Sequence, residues 1–178
     1  MPADIQSVRF EQFVLPHLDA AYNLARWLVR NGTDAEDLVQ EAFLRAWKGF
    51  SGFRGADGRG WLLAIVRNTC YTWLRANRRQ ELAVEFDEGV HSGAGGDGEL
   101  PEAERLVAES AGRQTLEKAL QELPAEFREV IVLRELEELS YKEISEIAGV
   151  PVGTVMSRLA RARSRLQISL APQARKEA

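Results

Sequence analysis

The sequence predicts an all-α protein, in which two small helical domains are joined by a flexible linker and the C-terminal domain carries a helix-turn-helix. Three observations support this fold class. Apolar residues recur at helical spacing over most of the 178 residues, and no long stretch alternates as a strand would. An acidic, glycine-rich segment separates two helical parts. Near the C-terminus, a glycine turn joins two amphipathic segments.

The domain boundaries follow from the composition along the chain. We expect one domain over residues 1–81, a linker over 82–100 and a second domain over 101–178. The linker holds five acidic residues and no lysine or arginine, and so long a structureless stretch is unusual inside a compact domain. The net charge of −4 hides two basic blocks, because residues 51–81 hold six arginines and 151–178 hold six basic residues. Two basic blocks indicate two anion-binding surfaces.

Several functional classes are excluded by what the sequence contains. The single cysteine, Cys70, allows no internal disulfide, and with His17 and His91 it cannot form a four-ligand zinc site. No signal peptide and no apolar run of membrane-spanning length is present. No phosphate-binding glycine loop, nucleophile–base pair or metal cluster is recognisable. We therefore expect a cytoplasmic protein without membrane insertion, catalytic residues, metal or cofactor.

The helices of the first domain are predicted from breaks and caps. Residues 8–30 form one or two helices with a break or start at Pro16. Thr33 and Glu36 match a capping box that opens a helix to about residue 47. A glycine-rich loop over 49–60 precedes a third helix over 61–79. In the second domain, Pro101 opens a helix that ends before Pro124, and another helix covers 125–138.

The helix-turn-helix is predicted over residues 140–166. Ser140 caps a short helix, and Gly149 lies where a tight turn requires a positive φ. In the helix that follows, Val152, Val155, Leu159, Ala162 and Leu166 share one arc and should be buried. Away from this arc lie Thr154, Ser157, Arg158, Arg161 and Arg165. A basic stripe is often only a solvated surface, but the spacing of turn and core positions favours DNA binding in the major groove.

The helix over 61–79 carries a second candidate nucleic-acid surface. Arg67, Tyr71, Arg75 and Arg78 share one stripe with Asn68 on its flank, whereas Trp61, Ile65, Val66, Thr69 and Trp73 should be core. Basic groups interleaved with an aromatic ring and an amide suit unpaired bases. A solvated basic helix face explains the same stripe equally well.

The helix over 34–47 presents an outward face of a different kind. Its members are Asp37, Gln40, Glu41 and Leu44. An exposed leucine among polar groups is a modest indication of protein binding, although isolated surface leucines are common.

Three blocks of this sequence resemble the signature blocks of the extracytoplasmic-function (ECF) sigma factors of bacterial RNA polymerase. They are DAEDLVQEAFLRAWKGFSGFRG, WLLAIVRNTCYTWLRANRR and LPAEFREVIVLRELEELSYKEISEIAGVPVGTVMSRLARARSRL. Their order and spacing match, and the resemblance covers nearly the whole chain apart from the linker.

The resemblance implies a role for each surface. The face formed by Asp37, Gln40, Glu41 and Leu44 would dock on the clamp helices of the largest subunit of core RNA polymerase, and the C-terminal domain on the flap of the second subunit. Residues 53–79 would melt and capture the minus-ten element, with Asn68 near the strand. Residues 76–81, which include Arg79, would take up a flipped base. Ser157, Arg158 and Arg161 would read the minus-thirty-five element.

The resemblance also implies a cellular context, and rival functions remain. We expect a sigma factor that directs promoter-specific initiation in a stress or envelope response, controlled by an anti-sigma factor that is often membrane-bound. The linker would run toward the RNA exit path. One alternative is a helix-turn-helix regulator that binds DNA without polymerase. Another is a sigma-like decoy that only sequesters an anti-sigma protein.

Overall fold

The computed structural model describes residues 3–84 and 103–174, and the regular elements in those two ranges are all helical. The N-terminal half contains α1 (Ala3–Phe13), α2 (Leu18–Val29), α3 (Gly32–Gly49) and α4 (Gly58–Val84). The C-terminal half contains α5 (Ala103–Glu122), α6 (Ala125–Ile131), α7 (Tyr141–Ala148) and α8 (Val152–Ala174). The predicted all-α fold class is confirmed. Of the predicted linker, residues 82–84 extend α4, and residues 85–100 lie outside the described residues, as does Pro101.

Helix boundaries in the N-terminal half follow local chemistry, with one departure from the prediction. A single 3-10 turn, Leu15–His17, carries Pro16 and separates α1 from α2, as expected of proline. The predicted capping box at Thr33 and Glu36 is wrong, because Asn31 is the N-cap of α3. Its side-chain oxygen accepts hydrogen bonds from the backbone N–H groups of Thr33 at 2.9 Å and Asp34 at 3.4 Å. Asparagine is among the best N-cap residues, so the helix starts two residues early.

The core of the N-terminal half forms where α2, α3 and α4 pack together. Leu24, Leu28, Leu62, Leu63 and Val66 are fully buried there. Aromatic rings close the end of this core nearest α1 and the loop before α4. The ring of Phe10 lies edge-on to that of Phe50, with 5.3 Å between centroids, and Phe53 lies against Trp61 at 4.8 Å. The Arg67 side of α4 faces the C-terminal half, where Arg67 forms an ion pair with Glu129.

The C-terminal half contains the predicted helix-turn-helix. Ser140 and Glu143 form a reciprocal capping box at the start of α7, and Gly149 ends that helix at φ 66°. Val155, Leu159 and Ala162 of α8 are buried as predicted. Val152 stays exposed because it is the first residue of α8. The predicted helix over 125–138 is α6 followed by one π-helical turn, Val132–Leu136.

The two halves pack directly on each other through α2 and α4 on one side and α6 and α7 on the other. Their buried residues form one continuous hydrophobic cluster. The side chain of Arg128 reaches across and donates a hydrogen bond to the carbonyl oxygen of Leu28 at 3.1 Å. In residues 3–84 and 103–174, no helix is long and apolar enough to cross a membrane.

Candidate nucleic-acid interface

The outer ridge of α8 presents part of the predicted DNA-reading face to solvent. Ser157 and Arg161 are exposed, and Thr154 is half-buried. The Ser157 hydroxyl donates to the carbonyl oxygen of Gly153 at 2.7 Å, so its lone pairs remain free to accept. Helix α7, which is capped by Ser140 and buries Ile144 and Ile147, packs on α8 and fixes the position of this ridge. An exposed arginine one helical turn from a serine can contact base edges and phosphates in a major groove.

Arg158 and Arg165 occupy a different environment, at the seam between α8 and α6. The guanidinium of Arg165 lies 5.0 Å from the ring centroid of Phe127, in cation–π geometry. Arg158 is half-buried and interacts electrostatically with Glu129 and Tyr71. Of the predicted five-residue face, Arg158 is half-buried against α6, whereas Ser157, Arg161 and Arg165 are exposed. Arg158 and Arg165 reach α6 because they border the apolar arc of the helix.

Two of the residues predicted to bind single-stranded DNA, Arg67 and Tyr71, are half-buried and bound to an acidic residue of the protein itself. Arg67 of α4 forms an ion pair through its Nε with Glu129 of α6. The Tyr71 hydroxyl donates to the other carboxylate oxygen of Glu129 at 3.0 Å. The Arg67 guanidinium also stacks on the Tyr71 ring at 4.3 Å. Both side chains thus bind a carboxylate that is 0% exposed.

The rest of the stripe on α4 is open to solvent. Asn68, Arg75 and Arg78 are exposed, and nothing is described for the side chain of Arg79. Arg75 and Arg78 line a groove between α2, α4 and the start of α6, together with Trp73 and Arg30. A groove that combines guanidinium groups with an aromatic ring suits a nucleic-acid strand, whose backbone needs cations and whose bases stack.

The electrostatics of the seam depend on Glu129. Burial raises the pKa of Glu129 above its ordinary value, and the Arg67 guanidinium opposes that rise. Burial also raises the pKa of the Tyr71 hydroxyl, and the negative charge of Glu129 raises it further. Tyr71 is therefore a hydrogen-bond donor at neutral pH. The seam is a compact set of donors around one carboxylate.

The sequence interpretation missed Glu129 and its neighbour Arg128. Both lie in α6 within the apolar run FREVIVL, and both are buried. Charged residues inside a run of core residues are almost never fully buried unless they are paired. That signal predicts distant partners for both residues, but it does not say which residues those partners are.

The predicted polymerase-binding face of α3 is fully accessible. Asp37, Gln40, Glu41 and Leu44 are all exposed, and Leu44 is 61% exposed. Trp47, which the sequence interpretation did not include, is 39% exposed and lies one turn from Leu44. Glu41 forms an ion pair with Arg45 on the same helix. A leucine and a tryptophan flanked by acidic and amide groups form a surface suited to a protein partner.

Cys70 lies on the buried side of α4, and its thiol is expected to be inert in the native protein. Burial and the nearby Glu129 charge raise its pKa to about 12, and only the thiolate is reactive. Treatment with Ellman's reagent at neutral pH should leave the native protein unmodified. The same protein in guanidinium chloride, the control, should react fully. Rapid stoichiometric modification of the native protein would contradict the buried placement.

Comparison with known proteins matches both halves of the chain. Residues 13–80 match the Sigma-70 region 2 family, and residues 113–166 match the Sigma-70, region 4 family. The chain is 37% identical over 158 residues to the ECF RNA polymerase sigma-E factor of Haemophilus influenzae, which covers 84% of this chain and 80% of that protein.

Two further relatives extend the match. The chain is 35% identical over 165 residues to the ECF RNA polymerase sigma factor SigE of Mycolicibacterium smegmatis; this covers 91% of the chain, which spans only 62% of that relative. The sigma factor RpoE from Bartonella quintana, solved in complex with the anti-sigma factor NepR, superposes with a TM-score of 0.72 at 32% identity. This superposition covers 92% of the chain and 97% of RpoE.

Proposed function

Because this chain belongs to the ECF RNA polymerase sigma factors, we propose that it binds core RNA polymerase and directs promoter-specific transcription initiation. The observation that carries this proposal is the presence of two distinct candidate DNA surfaces on one chain. One is the exposed Ser157 and Arg161 ridge of the helix-turn-helix. The other is the basic and aromatic groove beside α4. A regulator that binds only duplex DNA has no use for the second surface.

The proposed roles follow the placement of each surface. The α8 ridge reads the duplex minus-thirty-five element, and the α4 stripe holds the unpaired strand of the minus-ten element. Binding energy at α4 offsets the cost of unstacking a flipped base, which is a few kcal/mol. The exposed α3 face, with Leu44 at its centre, docks on polymerase. Sigma factors are not enzymes as a family, and we assign no catalytic residue, metal or cofactor to this chain.

We further propose that an anti-sigma factor controls this chain. RpoE, which superposes over nearly its whole length, was solved with the anti-sigma factor NepR. The place of action is the cytoplasm, where core polymerase and promoter DNA are found. The inducing signal is a stress or envelope response. Pull-down of core polymerase by the purified chain separates this proposal from a regulator that acts without polymerase.

Arg161→Ala is expected to reduce promoter-specific transcription strongly. Loss of one base-reading arginine costs about 1–3 kcal/mol of discrimination, which is roughly fivefold to 150-fold in promoter affinity. The measurement is run-off transcription by core polymerase with the purified chain, on a promoter found by mapping transcription starts after overexpression.

Arg163→Ala is the matched control, because it removes the same charge from the same helix. Arg163 points to the other side of α8 and pairs with Glu135 at 2.6 Å. The Arg163→Ala variant should bind the promoter within about twofold of the unmodified chain, because it loses only one sequence-independent attraction to the DNA phosphates. Equal losses for the two variants would refute the proposed reading ridge. Absence of any specific transcript with the unmodified chain would refute the sigma-factor proposal itself.

A further inference from the structure

Three apolar side chains are exposed in a row along the reading helix. Val152, Met156 and Ala160 follow one another at four-residue spacing from the first residue of α8, and all three are exposed. Met156 is 52% exposed and Val152 is 40% exposed. Residues four positions apart are neighbours on the surface of a helix, so these side chains form one continuous apolar row.

The apolar row lies beside the ridge proposed to read bases. Gly153, Ser157 and Arg161 each follow a member of the apolar row by one residue and form a second row parallel to it. A Cβ at Gly153 would meet nothing within 4 Å, so the space between the two rows at the start of α8 is open. A ligand that contacts the Ser157 hydroxyl is therefore within reach of the Met156 side chain.

The apolar row begins at the end of α8 that is expected to enter a major groove. In a helix-turn-helix, the N-terminal residues of the second helix lie nearest the base edges. Val152 and Met156 occupy the first two turns of α8. Arg163 lies on the same flank about two turns further on, where its guanidinium is 2.6 Å from the Glu135 carboxylate. This flank therefore offers apolar groups to bases in its first turns and forms a protein ion pair beyond them.

Thymine is the base that offers an apolar group to such a row. In the major groove, thymine presents the methyl group on its C5 atom, whereas the other three bases are distinguished by hydrogen-bond donors and acceptors. A hydroxyl or a guanidinium makes no hydrogen bond to a methyl group. An exposed apolar side chain, in contrast, gains free energy when the methyl group displaces water from it. Methionine is unbranched and flexible, so its side chain can adapt to the position of that group.

We propose that the apolar row, with Met156 as its main member, reads the C5-methyl groups of thymine in the duplex minus-thirty-five element. Met156 has the longest side chain of the row and is more exposed than Val152. The inference rests on the proposed function, because it assumes that α8 enters the major groove of that element. It adds the sequence feature that these residues select, which is a thymine opposite the first turns of α8.

Deoxyuridine tests the role of the methyl group, because it lacks only the C5-methyl group of thymidine and pairs with adenine in the same way. The probe is a fluorescein-labelled promoter duplex found by mapping transcription starts, with deoxyuridine in place of each thymidine of the minus-thirty-five element. Core polymerase carrying the unmodified chain should bind this duplex about fourfold more weakly for each methyl group contacted, as expected for one buried methyl group. Fluorescence anisotropy measures the difference from the thymidine duplex.

Met156→Gln tests the residue, because glutamine keeps the length of the side chain and replaces its apolar end with an amide. Polymerase carrying this variant should bind the thymidine and deoxyuridine duplexes about equally. Ile168→Gln is the matched control, since it also replaces an exposed apolar residue of α8 with glutamine. Ile168 lies about three turns beyond Met156, outside the first turns of the helix, so this variant should keep the preference of the unmodified chain for thymine.

Three results would overturn the inference. The first is equal binding of the two duplexes by polymerase carrying the unmodified chain. The second is a minus-thirty-five element without thymine on either strand. The third is a Met156→Gln variant that keeps the full preference for thymine. If that variant also binds core polymerase more weakly in a pull-down, the apolar row contacts the polymerase and not the DNA.

The failure of this inference can be distinguished from the failure of the proposed function. If the unmodified chain with core polymerase starts specific transcripts but shows no preference for thymine over uracil, only the reading of methyl groups fails. Arg161→Ala should weaken binding to both duplexes alike, because a guanidinium does not read the methyl group. If no specific transcript forms with the unmodified chain, the proposed function fails and the inference fails with it.

Discussion

Replacing Arg128 with methionine is expected to lower the free energy of unfolding by about 3 kcal/mol or more. The Arg128 guanidinium is buried and donates to three carbonyl oxygens, at 3.1 Å to Gln121, 2.7 Å to Leu123 and 3.1 Å to Leu28. Those carbonyls lie at the C-terminal ends of α5 and α2, where no later N–H of the helix reaches them. Methionine fills much of the volume but leaves the carbonyl oxygens of Gln121 and Leu28 without this donor, and Leu123 keeps only the hydrogen bond from Arg30 at 3.4 Å.

The position of Arg128 also explains why a positive charge is tolerated there. Two helix C-termini, each with a partial negative charge, converge on the guanidinium. Burial lowers the pKa of Arg128 to about 10, so the group remains charged at neutral pH. Because the Leu28 bond crosses between the halves, the substitution should weaken their association as well as the fold of each.

Urea denaturation followed by circular dichroism measures the effect. Arg113→Met is the control, since it makes the same replacement at an exposed position on α5. It should change the free energy of unfolding by less than about 0.5 kcal/mol. A similar small change for Arg128→Met would show that Arg128 does not cap the two helix ends.

Gly58→Ala is expected to destabilise the N-terminal half by about 3 kcal/mol, at the upper end of the usual cost of overpacking. A Cβ at Gly58 would lie 1.9 Å from the carbonyl oxygen of Phe13 and 2.8 Å from its carbonyl carbon. Both are backbone atoms at the end of α1, so no side-chain rotation can relieve the clash. The chain must instead move α1 away from the start of α4, which disturbs the aromatic packing of Phe10 on Phe50.

Gly112→Ala provides the matched control in the same measurement. Gly112 lies in α5, and a Cβ there would meet nothing within 4 Å. Alanine is favoured over glycine in a helix by about 1 kcal/mol, so this variant should be slightly more stable than the unmodified chain. If the free energy of unfolding falls for Gly58→Ala and rises for Gly112→Ala, the difference isolates the steric effect at Gly58. A stabilised Gly58→Ala protein would contradict the close approach of α1 to α4.

Features that depend on neighbours in sequence were predicted well. The N-cap at Ser140 and the turn at Gly149 are interactions over a few residues, and both are confirmed. The same local reasoning was wrong at Thr33, because Asn31, two residues earlier, is the N-cap of α3. The burial of Val155, Leu159 and Ala162 followed from helical periodicity, because a helix fixes which side chains share a face.

The availability of each candidate DNA residue could not be predicted in this way. Arg67 and Arg75 share one stripe on α4, yet Arg67 is half-buried and Arg75 is exposed. Periodicity places a side chain on a face of its own helix and says nothing of what a distant segment brings to that face. Whether the predicted boundaries at 81, 82–100 and 101 separate two independent folding units stays a prediction.

The amino-acid order alone determined that this chain is helical, where its helix-turn-helix turns, and which side of α8 is apolar. These properties depend on hydrogen bonds and side-chain spacing within a few residues. Only the tertiary structure decided that Glu129 meets Arg67 across 62 positions of sequence, and that Arg128 caps two helices from different halves. Contacts between residues so far apart in sequence depend on how whole helices dock. A buried charge costs free energy unless a partner compensates it, and helix packing determines which partner is near.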